Sequence, residues 1–234
     1  MQEEVKIEPS EKLAYWVGVA QSDGSFRTYW EKDRKSAKYL ISLCVAEKSF
    51  PMLLKFTELS KMLFKRKSGI WKESKRERWI MHIGVTRLLE TFKTLDIDFK
   101  DPPRPPFWTI KTPKSFGAYL AGLIDGDGSV CIKRPKYPQC IIKIGSGSEQ
   151  KELSSAIRKL LKCSISITSY KAKKEIVSGR FSDCKWTVLE FLVSSKTYKF
   201  LKDFTLPHMQ LIYKKRKIED YISSRWLCND GVVI

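Results

Sequence analysis

Two acid-glycine pairs stand at matching places in the chain. Asp23-Gly24 ends the stretch AYWVGVAQSDGSF (14–26) but for its last two residues, and Asp127-Gly128 does the same for AYLAGLIDGDGSV (118–130), 104 residues later. A carboxylate that follows a helix stands at the helix's own negative end. Two such carboxylates sharing one site raise the pKa of one of them unless a cation neutralises the pair. Carboxylate and free main-chain carbonyl oxygens are hard ligands suited to Mg²⁺. An ion held that way, with coordination positions left open, can bind a scissile phosphate and activate water. One Asp-Gly alone is an ordinary turn signal; two in register carry the metal reading.

The segments ahead of these acids must bring them together. Ser10 can cap a helix over 11–22, with Glu11 near its positive end. A second helix is predicted over 114–125. Ala14 and Gly18 are four apart, as are Ala118 and Gly122, and Gly117 and Ala121. Residues four apart share a helix face, and small ones there remove the side chains that keep helices about 8–10 Å apart. Interior glycine costs a helix about 1 kcal/mol, so two helices with glycine at equivalent positions are expected to cross closely.

The same order of elements follows each helix. Strands are predicted over 25–32 and 37–46, a helix over 49–63, strands over 65–72 and 76–84, and a short helix over 85–94. In the second half, strands are predicted over 129–134 and 139–146, a helix over 149–161, strands over 164–171 and 184–192, and helices over 196–203 and 208–224. Asp101-Pro-Pro-Arg-Pro-Pro106 cannot be regular structure. The expected architecture is α+β, with repeats over 1–94 and 114–234 joined by a linker over 95–113.

Composition narrows the partner. The 234 residues are 42% apolar and 12% aromatic, enough for a real core. Lys and Arg number 44 against 26 Asp and Glu, a net charge of +18, spread through both halves rather than held in a tail. A broad basic surface of this kind points to nucleic acid. No apolar run approaches the roughly 20 residues that a membrane helix needs. The opening Met1-Gln2-Glu3-Glu4 is not a secretory signal. The six cysteines include no CxxC pair, which speaks against zinc and a disulfide framework and for reduced thiols. A soluble, intracellular, non-secreted protein is expected.

The stretch Leu120-Ala-Gly-Leu-Ile-Asp-Gly-Asp-Gly128 resembles the signature of the LAGLIDADG homing endonucleases, differing from the name-giving string at Gly126. Trp16-Val-Gly-Val-Ala-Gln-Ser-Asp-Gly24 is a degenerate first copy that keeps Gly18, Asp23 and Gly24. The resemblance is to the monomeric, two-repeat members. It implies two pseudo-symmetric α-β-β-α-β-β-α repeats, antiparallel sheets forming a DNA-binding saddle, and signature helices at the repeat interface. It further implies a site-specific double-strand DNA endonuclease that uses Mg²⁺, with Mn²⁺ as a substitute. Asp23 and Asp127 would be the catalytic, metal-binding acids, and Ser22 and Gly126 would lend backbone carbonyls. Glu47 and Glu149 would organise catalytic solvent at the ends of the second strands. Gln21 stands where the second copy has Asp125. The resemblance also leads one to expect a basic residue late in each repeat, and Pro207-His208-Met209-Gln210 offers no lysine for it.

Period-two alternation assigns the faces of the strands. Ser25, Arg27 and Tyr29 share one face, as do Ser129 and Lys133; Lys38, Lys143, Arg76, Arg78 and Lys185 complete the expected DNA-contacting set. The opposed tryptophans are expected in the core. Lys214-Lys-Arg-Lys217 reads as a solvated helix face or a phosphate-tracking one. The halves differ, so a long, asymmetric target is expected. The rival reading is an RNA maturase acting on a host intron RNA; a transcription regulator or an intein fits less well.

Overall fold

The computed structural model describes residues 7–227 apart from 32, 34, 67, 74, 75, 100, 101, 135, 178 and 179. The first half contains α1 (Glu11–Ser22), β1 (Gly24–Glu31), β2 (Ser36–Ala46), α2 (Phe50–Phe64), β3 (Ile70–Glu73), β4 (Arg78–Gly84) and α3 (Leu89–Thr94). The second contains α4 (Pro113–Asp125), β5 (Gly128–Lys133), β6 (Gln139–Ser146), α5 (Lys151–Leu161), β7 (Ile165–Val177), β8 (Arg180–Leu192), α6 (Ser195–Phe200) and α7 (Ile212–Leu227). The fold is α+β. Its two four-stranded sheets have the same order, β1-β2-β4-β3 and β5-β6-β8-β7, and all their pairings are antiparallel.

Alternation decides which sheet face meets the helices. Ile41, Leu43, Val45, Met81 and Ile83 are buried on one face of the first sheet, and Val130, Ile142, Ile144, Leu189 and Phe191 on that of the second. Both faces pack into one apolar core with α1 and α4. Trp16 is fully buried; its ring stacks on Phe56 at 4.9 Å, and its indole N–H donates to Ser60 at 2.8 Å. That hydrogen bond lets a polar ring edge enter the core without loss.

The two capped helices, with Ser10 accepting from the Leu13 N–H and Thr112 from the Ser115 N–H, lie against each other at their glycines. A methyl on Gly18 would run into the Tyr119 carbonyl and come within 3.1 Å of the Gly122 Cα. A methyl on Gly122 would run into the Tyr15 carbonyl and come within 3.0 Å of the Gly18 Cα. The reciprocity, 15 with 122 and 119 with 18, is that of a dyad.

Three expectations change. The hairpin predicted as 164–171 and 184–192 continues to Val177 and Arg180. Strand β6 meets β8 only from Thr187 to Leu192, so among the described residues the outer part of this hairpin is a two-stranded ribbon. Lys171, Lys173 and Lys185 hide its alternation, because the side chains described there, 171–173 and 183–186, are not buried on either face. Strand β3 spans only four residues, so the described residues of the first half form no such ribbon. Residues 208–211 precede α7 instead of opening it, because the Gln210 and Leu211 N–H groups donate to the Asp125 carboxylate.

The segment after α3 is pinned by Asp96. Its carboxylate accepts from both terminal nitrogens of Arg104, at 2.6 and 3.0 Å, and from the Phe107 N–H at 3.1 Å. Partial burial pushes this carboxyl up, but those donors and the Arg104 charge outweigh it and hold it below 3.8.

Two outcomes follow. Gly18→Ala is expected to lower unfolding free energy by about 1–3 kcal/mol in urea titrations, although alanine is the better helix former by about 1 kcal/mol. Unchanged stability would show that the helices do not meet there. Asp96→Asn is expected to lower stability at pH 7. Because the folded pKa is depressed, the Asp96 contribution is present above 3.8 and is lost as pH falls through the lower folded value. The gap between variant and parent should therefore close in that acid range.

Candidate active site

The glycine crossing delivers both helix ends to one place. Helix α1 ends at Ser22, and Asp23 caps it with its own N–H on the Val19 carbonyl at 3.0 Å. Helix α4 ends at Asp125, with the Gly126 N–H on the Gly122 carbonyl at 3.0 Å. Gly126 lies directly against the other helix end. A methyl there would collide with the Ser22 hydroxyl and stand 3.5 Å from the Asp23 carboxyl carbon. The one departure of the second signature from its name-giving string thus has a steric cause: Ser22 fills the room that an alanine would need.

Asp23, Gly126 and Asp127 line a cavity of about 530 Å³. The first half contributes Cys44 and the turn with Lys48 and Ser49; the second contributes Ser129 and Cys131 of β5. The start of α7 closes it with Tyr213, Lys214 and Lys217. Asp127 is exposed and Asp23 is half-buried. Burial pushes the Asp23 carboxyl above its ordinary value, and the Lys214 charge opposes that shift.

Sequence reasoning missed Lys214. Its side chain is 7% exposed. Its ammonium donates to the carbonyls of Ile124 at 2.8 Å, Asp125 at 2.7 Å and Gly126 at 3.0 Å. Burial pulls its pKa down to about 8, against the attraction of Asp125, Asp23 and Asp127. A signal existed: Leu211, Lys214, Ile218, Tyr221 and Ile222 are all buried, a helical stripe in which one lysine occupies an apolar position.

The sixth signature position ties down the segment that follows each half. Asp125, 1% exposed, accepts from the Tyr15 hydroxyl at 2.8 Å and the Gln210 N–H at 2.7 Å. At the pseudo-equivalent place, Gln21 accepts from the Tyr119 hydroxyl at 2.6 Å. Its amide donates to the carbonyls of Asp98 at 2.5 Å and Arg104 at 3.0 Å. A carboxylate meets N–H groups on one side and an amide meets carbonyls on the other, so the difference between the copies follows the backbone each must hold. Burial raises the Asp125 pKa to about 6, against the hydrogen bonds it accepts and the Lys214 charge.

Glu47 and Glu149 are placed away from this cavity lining. Glu47 is exposed and accepts from the Trp79 indole N–H at 2.8 Å and Lys72 at 3.0 Å. Glu149 is exposed and pairs with Lys151 at 3.6 Å. The two are also not in register. Gly24 faces Leu43 and Gly128 faces Ile144, so the ladder matches Glu47 with Ser148 and Lys48 with Glu149.

Of the predicted contact residues, Ser25, Arg27, Tyr29, Lys38 and Arg78 share the helix-free face of the first sheet. Lys38 pairs with Glu31 at 3.3 Å. Arg76 sits in the turn before β4. Ser129, Lys133 and Lys143 share the corresponding face of the second sheet, where Glu190 pairs with both lysines. Lys185 does not join them. Its ladder position puts it on the side of Leu189 and Phe191, while Trp186, expected in the core, is 39% exposed and stacks on Tyr170 on the Lys143 side. Trp30 and Trp71 are exposed as well.

Gln21→Glu is expected to cost about 1–3 kcal/mol, read by chemical denaturation, because two carbonyls lose their donor and meet an anion. Tyr119→Phe, which removes one hydrogen bond, should cost only about 1 kcal/mol. Equal losses in the two would refute the assignment of the Gln21 amide.

A LAGLIDADG-like domain family matches residues 117–223. Mesophilic variants of the homing endonuclease I-DmoI align with a TM-score of 0.54 at 16% identity, over 82% of this chain and 93% of that one. The structure of I-DmoI in complex with DNA and Mn gives 0.52 at 14% identity, over 83% and 96%. An uncharacterized protein of Methanocaldococcus jannaschii is 25% identical over 134 residues, 56% of this chain. The match spans 46% of that relative's length. Among the described residues no helix is long and apolar enough to cross a membrane. Residues 117–223 belong to the LAGLIDADG-like domain family, and the chain as a whole carries two repeats on the homing-endonuclease fold.

Proposed function

We propose that this protein is a divalent-metal-dependent, site-specific double-strand DNA endonuclease, with repeats over 1–94 and 114–234 joined by 95–113. One observation carries the reading: Asp23 and Asp127, from opposite halves, line a single cavity at the convergence of the α1 and α4 ends. A net charge of +18 favours a polyanion in front of it.

The residues present fit a divalent ion. Asp23 and Asp127 offer carboxylates, and Ser22 and Gly126 offer main-chain carbonyls, all hard oxygens suited to Mg²⁺ or Mn²⁺. The Gly126 carbonyl already accepts from Lys214, and a carbonyl has a second lone pair. Among the described residues no three His, Cys, Asp or Glu side chains gather around a point, so the chain alone leaves coordination open to substrate and water. When bound, the ion would supply an activated water and neutralise charge on the phosphate. Lys48 and Lys217 sit in the cavity wall, where they attract a phosphate backbone. Ser25, Arg27, Tyr29, Lys38, Arg76, Arg78, Ser129, Lys133 and Lys143 are the proposed DNA contacts, and Lys185 would reach DNA only from the ribbon's other side. The halves differ along both sheets, so the target is long and not palindromic.

The test is a duplex built from the DNA flanking the open reading frame. Incubation with Mg²⁺ or Mn²⁺ is expected to cut both strands. Asp23→Asn and Asp127→Asn should each slow cutting on the order of a hundredfold or more, while gel-shift binding in Ca²⁺ persists and weakens steeply with salt. An uncut duplex, or Asp127→Asn cutting at the parent rate, would overturn the reading.

A further inference from the structure

The two helix ends that converge on the cavity are chemically unlike. The α4 end holds a cation of its own. An ammonium has three donors, and Lys214 spends them on the carbonyls of Ile124, Asp125 and Gly126. It therefore has no donor left for a phosphate unless it abandons the helix end. It is 7% exposed and anchored by a helix whose buried stripe runs through Ile218 and Tyr221, so it is a fixed part of the site. The α1 end is finished differently. The Ser22 hydroxyl donates back to the Gly18 carbonyl at 2.9 Å, and Asp23 supplies the cap. A pseudo-dyad with two equal ends would create two equal cation positions; here one of them faces a resident positive charge.

Resting on the metal reading above, we propose that Lys214 is a built-in cation that takes the place of one divalent ion, so that this chain binds a single divalent ion, with Asp23 and Asp127. Two carboxylates and the two negative helix ends call for compensation. A buried ammonium beside the Gly126 carbonyl supplies part of it and repels a second divalent ion, because a group only 7% exposed is screened little by water.

Mn²⁺ binding to the full-length chain without DNA, followed by electron paramagnetic resonance of free Mn²⁺ and by calorimetry, tests this. The parent is expected to take up one Mn²⁺, and to lose it in Asp23→Asn. Lys214→Met, which keeps the stem and removes the charge, should bind Mn²⁺ about tenfold more tightly or take a second ion. Lys214→Arg should match the parent. Two ions in the parent would overturn the proposal without any variant, so a Lys214→Met chain that fails to fold does not shield it. One Asp23-dependent ion in the parent with no gain in a folded Lys214→Met would sink the Lys214 role alone. No Mn²⁺ in parent or Lys214→Met would sink the metal reading and this proposal together.

Discussion

The closeness of two backbones governs this structure. Gly18 and Gly122 let α1 and α4 approach until each glycine faces the other helix's main chain, which ordinary side chains would forbid. Everything at the cavity follows from that approach. Because each glycine precedes its signature acid by five residues, two helices that touch at the glycines must also end together. The sheets leave those ends at once through Gly24 and Gly128, so their helix-free faces flank the cavity. Distance at the crossing thus becomes geometry at the acids.

That geometry carries an electrostatic burden. Asp23, Asp125 and Asp127 crowd the negative ends of two helices, and the fold answers each differently. Asp125 is taken out of the cavity by the Tyr15 hydroxyl and two main-chain N–H groups. Asp23 and Asp127 stay at the cavity. Lys214 covers the carbonyls of the last α4 turn. The same pseudo-symmetric frame accepts an amide at Gln21, because the segment it must hold presents carbonyls. Symmetry of backbone and asymmetry of chemistry coexist because each signature helix holds the trailing segment of its own half and takes one tyrosine hydroxyl from the other half.

Much of this is legible in the residues. A constant offset of 104 between the signature copies, small residues four apart and apolar alternation give the duplication, the crossing and the order of strands. They also place Asp23 and Asp127 together and sort Arg27 and Lys143 to the helix-free faces. What escapes is set by tertiary contact. Lys214 sits in a run of four basic residues, and only the buried neighbours at 211 and 218 single it out. Glu47 and Glu149 look equivalent because the offset of 102 fits them, whereas the ladders shift by 101. Lys185 and Trp186 exchange sides because alternation gives two faces without saying which one meets the helices. The ribbon of β7 and β8 escapes because a strand buried on neither face has no hydrophobic period.

The ribbon has a consequence of its own. Among the described residues no third strand covers β8 past Thr187, and β7 is the outermost strand of its sheet. Unsatisfied main-chain groups therefore run along both margins, an open invitation to pairing with a neighbouring molecule. Lys171 and Lys185 stand directly opposite each other, both solvent-facing. The like charge of this pair repels the same pair on a second copy of the ribbon, so the two lysines that cost the hairpin some stability also act as its guard against self-association.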